Sequence, residues 1–87
     1  MNVTEPIEIG KFPKNRKGDF VVVAIKEFQG ITYLDIRQFF TSEDGKSFPT
    51  KKGVAIGLRK LEELASLINK ARAKVHELGL LDEEFGT

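Results

Sequence analysis

The chain has 87 residues, 40% hydrophobic and 31% charged, which is the composition of a small globular domain with room for one hydrophobic core. It holds no cysteine, so disulfides, thiolate metal sites and thiol nucleophiles are excluded, and the expected setting is a reducing cytoplasm, or the nucleoid if the source is bacterial. No apolar run approaches the roughly 20 residues of a bilayer-spanning helix, and residues 1–6 lack a signal-peptide pattern, so no membrane partner is expected. The net charge is only +1, which argues against a coat for duplex DNA, yet residues 1–60 carry 11 Lys/Arg against 7 Asp/Glu and residues 61–87 carry 3 against 6, which leaves room for a local basic face.

After a lead over residues 1–6, the segment from Ile7 to Phe12 alternates as a short strand that Pro13 ends. Residues 14–19, Lys-Asn-Arg-Lys-Gly-Asp, form a basic turn, either a solvated loop or a place where Lys14, Arg16 and Lys17 meet phosphate. The β-branched and aromatic run from Phe20 to Phe28 predicts a strand, Gln29-Gly30 a two-residue hairpin turn, and Ile31 to Phe40 the returning strand. A turn at residues 41–46 contains Asp44-Gly45. A fourth extended segment follows to Ile56, with Val54 and Ile56 toward the core and Pro49 marking an edge or bend.

From position 58 the period changes to three and four: Leu61, Leu64, Ile68, Ala71 and Val75 define one amphipathic helix over 58–78, with Gly79 as its stop and an acidic tail over 79–87. Such a rod is about 30 Å long, as wide as the domain itself. Its outer turns need a bend back over the sheet or a second copy of the chain, and a core this small is often stapled by a second subunit. The expected fold is therefore α+β: one domain with a four-stranded antiparallel β-meander over 7–57, then one long C-terminal α-helix, as a homodimer.

Little here can do covalent chemistry. The lone histidine, His76, reads as a partner of the helix C-terminal dipole, and Glu62-Glu63 and Glu83-Glu84 as surface charges. The Gly45-Lys46-Ser47 triplet lacks the upstream glycine of a phosphate loop. No enzyme activity, cofactor or metal is expected.

The remaining signal is a surface. If Val21, Val23 and Ile25 face the helix, period two sends Val22, Ala24, Lys26 and Phe28 to the other side, together with Tyr33, Asp35, Arg37 and Phe39. Rings stack unpaired bases while cations hold phosphates, a pairing suited to single strands, with Lys51, Lys52 and the 14–17 loop as rim cations. The alternative is that the rings cover a second core or a protein interface.

Lys26-Glu27-Phe28-Gln29-Gly30, Leu34-Asp35-Ile36-Arg37, the turn Glu43-Asp44-Gly45, Lys51-Lys52-Gly53-Val54 and the amphipathic helix together resemble the transcriptional coactivator positive cofactor 4 family over about residues 18–75. The resemblance implies a four-stranded antiparallel sheet, a long kinked helix, dimerisation through helices and sheet, and single-stranded DNA held in channels along the sheets. By position it implies stacking on Phe28, a basic contact at Arg37, a second ring at Phe40 where the family often has tryptophan, and a basic pair at Lys51 and Lys52. Gln29 and Ile31 stand where the family often has lysine, and the basic link from Lys14 to Gly18 is longer. The Ser-rich acidic arm of eukaryotic members is missing, as in a bacterial or phage minimal form. Parity puts Phe40 and Lys52 on the side of Ile36 and Val54 unless a bulge or strand end turns them. The expected function is low-specificity binding of single-stranded DNA, with RNA as a further ligand, in transcription, replication or repair. The competing reading is a protein-interaction module of a transcription complex.

Overall fold

The computed structural model describes residues 5–80. Along the chain come β1 (Ile7–Pro13), β2 (Phe20–Phe28), β3 (Ile31–Thr41), β4 (Ser47–Gly57), a 3-10 turn (Leu58–Lys60) and α1 (Leu61–Glu77). The strands form one antiparallel sheet in the order β1-β2-β3-β4, the expected α+β meander. The tail at 81–87 and the first four residues of the lead lie outside the described residues.

β2 and β3 pair without interruption from Phe20↔Phe39 to Phe28↔Ile31. Their turn has positive φ at both central residues, 51° at Gln29 and 81° at Gly30; this primed geometry matches the twist of the flanking strands, and glycine adopts it without a Cβ clash. The outer strands each carry an irregularity. β1 shifts register between Glu8 and Gly10, and β4 shifts where Arg37 pairs with Gly53 but Phe39 pairs with Pro49. Residues 50–52 thus stand against Gln38 alone. Pro49 sits on an edge strand, where a missing N–H costs no ladder bond.

α1 has the expected type, with two differences. Its first turn is the separate 3-10 segment, and α1 begins at Leu61 rather than position 58. At the far end, Leu78 N–H donates to Lys74 O and Gly79 N–H to His76 O, and Gly79 has φ 70°, so the glycine stop holds.

The second difference is larger. Val21, Val23 and Ile25 were expected beneath the helix, but the 3-10 turn, not α1, makes the main approach to β3. Only the three-residue 3-10 turn, Leu58–Lys60, joins β4 to α1, too short a connector for the helix to fold back over the sheet. The radius of gyration is 15.4 Å, against about 12 Å for a compact chain of this length. Of the expected helix core, Leu61, Leu64 and Val75 are half-buried while Ile68 and Ala71 are exposed, and Val54 on β4 is exposed as well. Among the described residues the only buried hydrophobics are Val22 and Ala24, on the face expected to be open. No helix among the described residues is long and apolar enough to cross a membrane.

Candidate nucleic-acid interface

The alternation of β2 and β3 sorts the site residues. On one side Val22 stands opposite Arg37, Ala24 opposite Asp35, and Lys26 opposite Tyr33. Val22 and Ala24, the apolar members of this row, are buried.

Asp35 is the centre of this face. It is 2% exposed, and two cations converge on it: Lys26 Nζ donates to Oδ2 at 3.0 Å, Arg37 Nε to Oδ2 at 3.0 Å and Arg37 Nη2 to Oδ1 at 2.9 Å. Burial by itself pushes the Asp35 carboxyl up, but the hydrogen bonds and charges of Arg37 and Lys26 together outweigh it and hold the group below the ordinary carboxylate value. In return, the bonds to Asp35 raise Arg37 further. The three side chains carry a net charge of one plus, with both cations about a quarter exposed.

Arg37 is fixed on its other side too. Its Nη1 donates to Thr50 O at 2.8 Å, which ties it to the irregular part of β4. Thr50 donates from Oγ1 to Gln38 O at 2.7 Å and accepts from Lys52 N–H at 3.1 Å, so the bulge is held by its own threonine. Lys51 and Lys52 project from it, both exposed. Beneath the guanidinium lies Gly53: a Cβ there would stand 2.9 Å from Arg37 Cζ and 2.7 Å from Ile36 O. The bare glycine backbone is the seat of the cation.

Phe28 closes β2 at the hairpin and is 63% exposed, with Ile31 across from it at 68%. At the other end of the sheet, the loop with Lys14, Arg16 and Lys17 is built on Asn15, whose Oδ1 accepts from Lys17 N–H and Asp19 N–H while its Nδ2 donates to the Asp19 carboxylate. Thr41 Oγ1 donates to Gly18 O at 2.8 Å and pins the loop to the end of β3. The three basic side chains are exposed.

The structure therefore brings together Lys26 and Arg37, carries Lys51 and Lys52 on the irregular stretch of β4 to which Arg37 is tied, and puts Phe28 and the 14–17 loop at opposite ends of the same sheet. Phe40 is set apart. A bulge exists near it, but on β4, so β3 keeps its alternation and Phe40 stays on the side of Leu34 and Ile36, packed against Phe48 with ring centroids 5.3 Å apart. Sequence reasoning missed Asp35 as the organiser of the two cations and Gly53 as their floor. The first was readable from the alternation, which places an acid between Lys26 and Arg37; the second needed the β4 register. No group of three potential metal ligands occurs among the described residues.

A search of curated proteins returns no match. Among solved structures, the fold is similar to that of a bacteriophage T5 homologue of the eukaryotic transcription coactivator PC4, implicated in recombination-dependent DNA replication, with a TM-score of 0.52, 24% identity, and coverage of 90% of this chain and 83% of that one. The family model for Transcriptional Coactivator p15 (PC4) matches residues 15–67, more than half of the chain. With strand order, hairpin, Asp-Ile-Arg segment and C-terminal helix all in place, the chain belongs to the PC4 (p15) transcriptional coactivator family.

Proposed function

We propose that this protein is a homodimer that binds single-stranded DNA with little sequence preference and performs no chemistry on it, acting in transcription, replication or repair. One observation carries the reading: a single sheet face holds an exposed ring, Phe28, in line with two cations that a buried carboxylate keeps in place. Fixed cations track a phosphate backbone regardless of base, and an exposed ring accepts any base that has left its duplex. The role of the T5 homologue in DNA replication agrees with such a ligand. The second subunit is argued from the opposite face, where Ile7, Phe12, Phe40, Phe48 and Val54 are all exposed although the register groups them with Val21, Ile36 and Ile56. An apolar surface of this kind, continued by the stripe of α1, fits a copy of itself.

The test is fluorescence anisotropy with a labelled single strand, its duplex and its RNA equivalent at two salt concentrations. The single strand binds tightest, with affinity falling steeply as salt rises, and Phe28→Ala weakens it by about 1–3 kcal/mol. No binding at low salt would instead favour the protein-interaction module, for which the apolar pair Phe28 and Ile31 at the hairpin tip is the natural contact.

A further inference from the structure

The Arg37 face does not end at Arg37. Toward the basic loop it carries two more rings, Phe20 and Phe39, directly opposite each other in the β2–β3 ladder and stacked with centroids 5.6 Å apart and planes 23° from parallel. Both are half-buried, so they are seated in the sheet yet keep accessible surface. Lys11, which pairs with Val22 from β1, places its Nζ 5.1 Å from the centre of the Phe20 ring. Next to it, lined by residues that include Lys11, Pro13, Asn15, Asp19 and Phe20, is an open depression of about 330 Å³.

We propose that Phe20, Phe39 and Lys11 form a second base-stacking station, so that a single strand crosses the sheet from the Gln29–Gly30 turn to the 14–17 loop. This rests on the single-strand reading above and extends it to residues that nothing else assigns. Phe28 and Phe20 are eight residues apart on β2, about 27 Å at the strand rise, room for roughly eight nucleotides at a stacked spacing of ~3.4 Å and fewer when the strand is drawn out. Lys26 and Arg37 lie between the two stations. At the far end Lys14, Arg16 and Lys17 stand ready for phosphates and outnumber Asp19, the one acid lining the depression, which accepts from Asn15 Nδ2. A lysine over a partly solvated ring is weakly held, so Lys11 can give way to a base and take a phosphate instead. The surrounding cations match a polyanion better than an apolar protein segment.

The experiment measures anisotropy of labelled oligothymidylates from about 4 to about 12 nucleotides with the full chain. Native affinity climbs with length until the strand reaches the second station. Phe20→Leu, which keeps apolar bulk, abolishes that climb and weakens the longest strand by roughly 5- to 100-fold, leaving the shortest unchanged, whereas Phe28→Ala weakens every length. Lys11→Gln leaves both rings in place and lowers the log–log salt slope for the longest strand by about 0.7; it decides the matter if Phe20→Leu does not fold. A native length profile in Phe20→Leu with a native salt slope in Lys11→Gln overturns the second station alone. A native chain that binds no strand of any length overturns it together with the reading it rests on.

Discussion

The two faces of the sheet use the same alternation to opposite ends. Around Asp35 the chain covers itself: Val22 and Ala24 are buried, and Asp35, the most buried polar residue among those described, has both oxygens satisfied by Lys26 and Arg37. On the other side Val21, Val23, Leu34 and Ile36 have only partial cover, and Phe12, Phe40, Phe48 and Val54 have less. The first face is finished within one chain at its centre, around Asp35, and open only at the hairpin tip, where Phe28 and Ile31 are exposed; the second lacks cover along its length. The difference teaches that local electrostatic order holds one side, while the other would gain its cover only from the proposed second copy, and it separates the experiments that would disturb one from those that would disturb the other.

The strongest way to break the comparison is to spoil the uncovered side. Ile68 is half-exposed in the middle of the α1 stripe, so Ile68→Glu places a charge where a second copy would have to desolvate it. The expected cost to association is about 3 kcal/mol or more, over 100-fold in dissociation constant. Light scattering at micromolar concentration should give two chains for the native protein and one for the variant. A native protein with the mass of one chain would show that the apolar face needs no copy of itself.

A smaller effect is expected on the finished side. Asp35→Asn keeps the shape but removes the counter-charge from beneath two cations, costing about 1–3 kcal/mol of stability in denaturant unfolding, discounted because both cations are partly solvated. The same residue sets a pH dependence. Its carboxyl is depressed in the folded state, so its stabilisation is complete above the ordinary carboxylate value near ~3.9 and is lost as pH falls from there toward the lower folded value. The native protein should therefore lose thermal stability below about pH 4 more steeply than Asp35→Asn does. Parallel curves would mean that Asp35 is not held as the geometry indicates.

How far this contrast could be read from the chain depends on how local each signal is. β2 and its turn were legible to the residue, because a β-branched run ending in Gln29-Gly30 is decided by neighbours in sequence. The helical period was equally plain, but not its relation to the sheet, which depends on how short the Leu58–Lys60 turn between β4 and α1 is. Lys26 and Arg37 were placed on one face by parity alone. Their neutralising partner was in view on that face, yet its burial and its bonds to both cations are properties of the packed ladder. Phe40 shows the limit from the other direction: the irregularity that parity called for is present, but it lies on β4 and leaves β3 unturned.

Gly53→Ala gives the smallest and most discriminating effect. In a strand, replacing glycine by alanine is ordinarily favourable by about 0.5–1 kcal/mol because the unfolded chain has less freedom to lose. Here the added Cβ would meet Ile36 O at 2.7 Å and Arg37 Cζ at 2.9 Å, so the guanidinium must lift or the β3–β4 ladder must give. Because Ile36 O is backbone and cannot swing aside, the clash outweighs that gain, and the thermal midpoint should fall modestly. Single-strand affinity should nonetheless fall by about 1 kcal/mol, roughly fivefold, because the cation leaves its seat. Arg37→Lys removes the planar fork by another route, and the two substitutions combined should weaken binding no more than the larger one alone, since both act on the same contact. Additive losses would place Gly53 and Arg37 in separate roles, and a Gly53→Ala protein that binds as the native one does would remove the glycine floor from the interface.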